Sequence, residues 1–349
     1  MPAPIEHRLA TELSVRPTQV LATIALLDEG ATVPFIARYR KEVTEGLDDT
    51  QLRQLSERLD YLREMDQRRD TIVAAITEQG KLTGELAASL EAAESKQRLE
   101  DLYAPYKKKR RTKAQIAREA GLEPLADALL ANPALVPEET AGAYLREAFT
   151  GPDGDNPGVN DTKAALDGAR QILMERFAED ADLVGRLRDE MLSRGVLVSS
   201  VAEGKQEKGA KFSDYFEYQE KLSAVPSHRA LALLRGRREE VLNVTLALPD
   251  DPDPAEGPGW CQQQIAQRMG IASQGRPADG WLNETARWTW QVKLSWQIAT
   301  DLMGAMREQA EADAIDVFGH NLKALLLAAP AGRRATMGLD PGLRTGVKV

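Results

Sequence analysis

At 349 residues the chain is longer than one typical domain of roughly 100–200 residues, so more than one core is expected. Charged residues make up 28%, hydrophobic residues 42% and aromatic residues only 5%, a balance that suits packed helices better than a β-sandwich or barrel. A formal net charge of −9 and a pI near 5.2 exclude a protein that coats nucleic acid with its whole surface; any phosphate contact must come from a local basic patch.

The first ten residues carry Glu6 and His7 and no apolar core of 7–15 residues, so they do not read as a secretory signal. Ile5, Leu9 and Leu13, then Val20, Ile24 and Leu27 after Pro17, have helical spacing and predict two short helices that stop at Gly30. Asp48 with Gln51 three residues on resembles a capping box. Leu52, Leu55, Leu59, Leu62, Met65, Ile72 and Ile76 mark one face of a helix running to Gly80, about 45 Å long at 1.5 Å per residue. Thr112 caps the next helix through Gln115, Gly121 ends it, and Pro124 suits the first turn of its successor, giving helix, tight turn, helix. Residues 151–158, GPDGDNPG, are dense in turn formers; they are expected to hold no regular structure and to act as a linker. Asp161–Arg194 reads as helix, while Val196–Val201 and Val241–Leu248 are β-branched and aliphatic enough for a small sheet. Helix resumes from Trp281 through Leu327 after a Pro/Gly/Asp stretch, and Met337–Val349 is expected to be a lone strand, disordered without a sheet. The apolar stretch Leu322–Ala331 is broken by Lys323 and Pro330, far short of the ~20 residues a bilayer requires. The expected fold is therefore mainly α, a multi-helix assembly with a helix-turn-helix, a long central helix and a small β element, and the expected location is the cytoplasm.

One positive concentration stands out in this acidic chain: Lys107, Lys108, Lys109, Arg110 and Arg111, with Lys113 close behind and Tyr103 and Tyr106 ahead. Cations so placed can displace condensed counterions from a phosphate backbone, while the tyrosines stack on bases or anchor the segment. A solvated basic face or a protein-docking patch is the competing reading. The second helix of the helix-turn-helix offers Glu123 and Asp127 but no Arg, Lys, Asn or Gln, so it is expected to pack rather than to read base edges. Arg38, Arg40 and Lys41 follow Val33, Phe35 and Ile36; they are candidate phosphate contacts, weighed against a core helix whose basic residues snorkel to solvent. Trp281 and Trp288, seven residues apart, share a helical face, and with Trp290 and Trp296 are expected in a core. Cys261 is the only cysteine, which excludes an internal disulfide and suits a buried apolar position in a reducing compartment. His7, His228 and His320 lack ligand spacing, and neither metal nor cofactor is expected. Asp340, within Gly338–Gly342, stands on what reads as a strand, but a two-metal nuclease needs several further carboxylates.

Several stretches together resemble the bacterial Tex family: Phe35–Glu42, Leu99–Tyr103 leading into Pro105–Lys107 and Lys109–Thr112, Gly209–Phe212 with Asp214–Phe216, Val225–Arg229, Asn321–Leu322 with Leu325–Leu327, and Gly338–Gly342. They occur in family order over essentially the whole chain. Departures are Glu45 where glycine is expected before Gly46, Lys108 where proline is frequent, and Val347 where cysteine is common. The resemblance implies a helical N-terminal region with a helix-turn-helix, then an RNase H-like YqgF domain, helix-hairpin-helix elements and an OB-fold that binds RNA, in a relative of a eukaryotic elongation factor. On that reading the chain is a truncated piece divided into residues 1–80 with the long helix, 81–150 with the helix-turn-helix and basic run, 151–330 with the small β element, and 331–349 opening the YqgF domain. The implied role is a non-catalytic scaffold of a nucleic-acid-binding transcription accessory factor, with single-stranded RNA as the expected partner, bound mainly through the C-terminal domains that this sequence lacks, and RNA polymerase or the ribosome as further ones. The resemblance places Asp340 at a nuclease-like position without licensing activity. Two other readings stand beside it: part of a metal-dependent nuclease, and a protein-interaction scaffold.

Overall fold

A computed structural model describes residues 3–108, 110–151, 153–249, 251–252, 257–330, 332–342 and 346–349. Among them the chain forms fifteen α-helices and three small antiparallel sheets, a mainly α fold. In chain order the helices are α1 (Ile5–Glu12), α2 (Pro17–Asp28), α3 (Val33–Tyr39), α4 (Asp49–Glu78), α5 (Gly84–Ala92), α6 (Lys96–Tyr103), α7 (Lys113–Glu119), α8 (Glu123–Ala131) and α9 (Pro137–Ala141). Strands β1 (Phe149–Gly151) and β2 (Gly154–Asn156) precede α10 (Thr162–Ala178) and α11 (Ala181–Arg194). Then come β3 (Val196–Val201), β4 (Glu217–Lys221), α12 (Ser227–Arg238), β5 (Leu242–Ala247), α13 (Trp260–Arg268), α14 (Asp279–Trp288), α15 (Ser295–Leu326), β6 (Asp340–Pro341) and β7 (Val347–Lys348). Two compact units emerge, one of Met1–Glu190 with Asp250–Ile298, the other of Met191–Pro249 with Ala299–Val349.

In the first unit, α4 begins where the capping box places it. The Gln51 amide donates to the Asp48 carboxylate at 2.8 Å, and the Asp48 amide donates to Gln51 Oε1 at 3.1 Å. Its predicted apolar stripe is buried along the whole length. Leu52, Leu55, Leu59 and Leu62 meet Leu9, Val20, Ile36 and Leu47 from the α1–α3 side, and Met65, Ile72 and Ile76 meet Leu90, Ala93 and Leu99 from the α5–α6 side. Tyr61 touches both clusters. Each such side chain contributes roughly 1.5–3 kcal/mol by leaving water.

The stripe has one charged member that periodicity alone did not single out. Arg69 sits between Met65 and Ile72 and is 5% exposed. Its Nε donates to the Leu90 carbonyl at 2.9 Å and its Nη2 to the Ala93 carbonyl at 3.2 Å, while Nη1 pairs with Asp66. These carbonyls close the last turn of α5, where backbone acceptors lack helical partners. A buried guanidinium thus caps a neighbouring helix.

The turn-rich stretch 151–158 does carry regular structure, contrary to expectation. Phe149 pairs with Asn156 and Gly151 with Gly154, and an Arg146–Val159 bridge extends the ladder. Turn formers suit a hairpin tip as well as a linker, and here the Arg111 guanidinium holds the second strand through the Asp155 carbonyl at 2.9 Å and the Gly154 carbonyl at 3.3 Å. Behind it α7 packs on α10 at Gly168, where a Cβ would lie 2.3 Å from Leu122 Cδ1 and 3.3 Å from Ala117 Cβ. Cys261 is fully buried, and burial pushes its thiol pKa up. Glu45, where the resemblance called for glycine, holds φ +51° beside Gly46 at +94°, a left-handed step that L side chains rarely take.

In the second unit the expected small sheet has three strands in the order β4-β3-β5, all antiparallel. Val196 of the central strand faces Lys221 on one side and Ala247 on the other. Strand β4, EYQEK, was not foreseen because its charged residues lack a β-branched run. Helix α12 packs on β5 at Gly236, where a Cβ would fall 2.5 Å from Leu242 Cδ1. Further along, Ile315, Phe318, Leu322 and Leu325 of α15 follow one another at helical spacing, and each is more than 40% exposed. Met337–Val349 is not a lone strand: Asp340 pairs with Lys348 and Pro341 with Val347 in a minimal hairpin whose strand residues are exposed. Among the described residues no helix is long and apolar enough to cross a membrane.

Replacing Arg69 with Met keeps the stripe's length but strands two buried carbonyls; a loss of about 3 kcal/mol is expected, read from the urea midpoint, and an unchanged midpoint would refute the capping role. Gly168→Val drives a side chain into Leu122, and a loss of about 1–3 kcal/mol is expected in the same assay.

Candidate nucleic-acid interface

The basic run starts where α6 ends and is fixed at both ends. Gln79, just past α4, donates to the Tyr106 carbonyl at 2.9 Å, and the Thr112 hydroxyl accepts from the Gln115 amide at 3.1 Å to begin α7. Tyr103 and Tyr106 are half-buried against the cluster around Ile72 and Ile76, so they anchor the segment.

Between those fixed points the cations divide. Lys107 pairs with Glu100 at 2.5 Å, and Glu100 also takes Arg68 at 2.6 Å. Against the desolvation that burial imposes, hydrogen bonds from Arg68 and Lys107 hold the Glu100 carboxyl below its ordinary pKa. Arg111 grips Glu119 with Nε at 3.2 Å and Nη2 at 2.5 Å in addition to the hairpin carbonyls. Its side-chain hydrogen bond and charge lower the Glu119 pKa in turn. Lys108, Arg110 and Lys113, by contrast, are exposed and have no carboxylate partner among the described residues. Lys109 lies outside the described residues.

A groove of about 720 Å³ runs beside the turn. Lys81, Lys107 and Lys108 line it together with Gln79 and Tyr106, and Gln115, Arg118, Glu119 and Glu175 form its α7–α10 side. Glu175 is buried there, receiving Arg118 Nη1 at 2.6 Å and the Thr112 hydroxyl at 3.2 Å. Lys81, which sequence reading missed, is exposed beside Lys107 and Lys108 although 26 positions separate Lys81 from Lys107. Its only signal was a lysine just past the glycine that ends the long helix.

Arg38, Arg40 and Lys41 are exposed at the end of α3, which packs with Ile36 on the first half of α4. The basic run belongs to the second half, so the fold does not bring the two groups together. Phe35, expected in the core, is 41% exposed; Ile36 alone turns fully inward, while the Phe35 ring lies tilted against the 56% exposed Tyr39 with centroids 5.3 Å apart. The Arg40 guanidinium lies 5.3 Å from the Phe35 ring.

The helix-turn-helix forms as α7, a turn at Gly121 with φ +84°, and α8. Its second helix buries Leu125, Ala126 and Leu129, and its carboxylates are engaged by neighbours: Asp127 by Arg176 at 2.7 Å, Glu123 by Arg118 and Arg176 at 3.4 Å. Trp281 and Trp288 do share a face, as their spacing predicts, since the Arg170 guanidinium lies 5.8 and 5.5 Å from their rings. They are not fully in a core, however: Leu282, Thr285 and Ala286 fill it, and Trp288 and Trp296 are 38% and 71% exposed. Asp340 is exposed opposite Lys348, and among the described residues no three His, Cys, Asp or Glu side chains form a metal-binding group.

Residues 3–77 match the model of a Tex-like protein N-terminal domain, and residues 132–318 match a Tex central region-like model. Protein YhgF of Escherichia coli is 56% identical over 341 residues, 98% of this chain and 43% of that protein. Transcriptional accessory protein Tex of Neisseria gonorrhoeae is 53% identical over 99% of this chain and 44% of its own length. S1 RNA-binding domain-containing protein 1 of Homo sapiens is 29% identical over 98% of this chain and 34% of its own. The chain thus spans less than half the length of the curated relatives it matches. Two family models, the larger covering more than half of the sequence, establish that this chain belongs to the Tex family.

Proposed function

We propose that this chain is a non-catalytic scaffold of a cytoplasmic transcription accessory factor and that it touches single-stranded nucleic acid, RNA foremost, along Lys108, Arg110 and Lys113 with Lys81 beside them. The observation that carries the reading is the division of the basic run: Lys107 and Arg111 are spent on Glu100 and Glu119, whereas Lys108, Arg110 and Lys113 are exposed without carboxylate partners among the described residues, in a chain of net charge −9. Cations held that way meet a phosphate backbone with counterion release and little reorganisation. In this reading Lys107 and Arg111 shape the ridge, the charge of Lys109 adds to the same run, and Arg38, Arg40 and Lys41 with Phe35 and Tyr39 give a separate contact. Relatives named as a transcriptional accessory protein and an S1 RNA-binding domain-containing protein support the class of partner. Asp340 takes no catalytic part.

A second reading, docking on a protein such as RNA polymerase or a ribosomal component, draws on the exposed apolar stripe Ile315, Phe318, Leu322 and Leu325. Stripes of that kind mark interaction surfaces.

Fluorescence anisotropy with labelled single-stranded RNA at several salt concentrations tests the first reading. Three phosphate contacts predict a slope of log K against log salt of about −2, at about −0.7 per contact. A variant with Lys108, Arg110 and Lys113 all changed to Glu is expected to bind at least tenfold more weakly; equal affinity for variant and parent would exclude the ridge.

A further inference from the structure

A second cavity, of about 350 Å³, opens on the other side of α7. It is bounded by α7, the chain leaving the β1–β2 hairpin, α10 and the end of α14. Its apolar surface comes from Ile116, Ala117, Leu122, Val159 and Ala164, with Gly168 of α10 packed against Leu122. The volume lies at the small end of the range for ligand sites, roughly 300–1,000 Å³.

Three side chains give this cavity a chemical character that simple packing between helices does not require. Trp288 contributes an aromatic ring that is 38% exposed and is held by the Arg170 guanidinium 5.5 Å from its centroid. Arg170 is itself fixed, with Nη2 on Glu284 at 2.6 Å and Nη1 on Asp167 at 3.6 Å. Gln171 presents a half-buried amide with no hydrogen-bond partner among the described residues. Lys113, from the basic run, lines the same cavity and has no ion-pair partner among the described residues. Asn156 also lines it, but its amide is already occupied, donating to the Ile116 carbonyl at 2.8 Å and accepting from the Gly158 amide at 3.0 Å.

We infer that this cavity receives one nucleobase of the strand bound along the basic run, stacked on Trp288, with its polar edge on the Gln171 amide and its backbone phosphate near Lys113. A flat ring with an apolar face and an edge of mixed donors and acceptors matches such a wall. An amide that both donates and accepts suits any base, and stacking is sequence-tolerant because every base has a π-face. The inference rests on the ridge reading above. It adds a base-capturing subsite, so that binding depends on the bases and not on the phosphates alone.

The test uses the full chain labelled with 5-fluorotryptophan, whose five tryptophans give separate ¹⁹F signals, with Trp288 assigned by Trp288→Phe. Three probes are titrated: a single-stranded RNA oligomer, an abasic oligomer of equal length, and uridine or adenosine monophosphate at millimolar concentration. The RNA and the mononucleotides are expected to move the Trp288 signal and the abasic oligomer is not. Trp288→Ala and Gln171→Ala are expected to weaken RNA binding roughly five- to hundredfold while leaving the salt slope unchanged. If RNA binds with the expected salt slope but the Trp288 signal stays fixed and both variants bind normally, the base subsite is wrong and the ridge stands. If RNA fails to bind but mononucleotides move the signal, the ridge is wrong and the cavity takes a free nucleotide, which overturns the inference that it receives a base of a bound strand. If no probe binds, both fall.

Discussion

Burial of one face of α4 is the constraint on which the first unit depends. Thirty residues of helix present a single stripe, and α1, α2, α3, α5 and α6 find their apolar partners there in two successive clusters. An isolated helix of that composition has little reason to persist in water, since most helical stability in proteins comes from packing an amphipathic face. The stripe also tolerates a charge at Arg69, because the guanidinium finds two backbone carbonyls and a carboxylate at once. A buried charge with a partner on each of its nitrogens costs far less than one left bare.

The same rule sorts the cations around α7. Arg118 reaches the buried Glu175, Arg111 holds Glu119 and the hairpin, and Arg188 meets the nearly buried Asp101 in a bidentate pair at 2.7 and 3.0 Å. The Arg111 and Arg188 pairs are fork-shaped guanidinium contacts, which fix geometry as well as charge. In an acidic chain such pairing consumes most of the positive charge near a core. The cations left exposed and without a carboxylate among the described residues near the basic run are therefore informative: Lys81, Lys108, Arg110 and Lys113 occur around one stretch of surface, with a groove on one side of α7 and a cavity on the other.

Kinship and geometry speak to different parts of the question. Membership of the Tex family rests on two matched regions and on relatives more than half identical across this chain, yet the chain spans only 43–44% of those bacterial relatives. The helix-turn-helix shows why family architecture is not a mechanism. Its second helix spends its polar side chains on Arg118 and Arg176 and its apolar ones on the interior, leaving the motif to position α7 and the segment before it.

Local chemistry was legible in the sequence. The capping box at Asp48, the stripe from Leu52 to Ile76, the Thr112 cap and the Gly121 turn depend on residues within a few positions of one another, and each formed where its spacing put it. The outward basic character of Lys108 and Arg110 was equally plain. Tertiary structure alone decided that Lys107 and Arg111 are paired, because Glu100 and Glu119 take them only after α6 and α7 have packed. It alone paired residues 149–151 with 154–156 and set on the second strand a guanidinium from Arg111, more than forty positions away. It alone set Lys81 beside Lys107, and Trp288 beside Lys113 and Gln171. The physical reason is one of range: a helix or a cap is fixed by neighbours along the chain, whereas the partner of a charge, or the wall of a cavity, is fixed by whatever the buried stripes bring alongside.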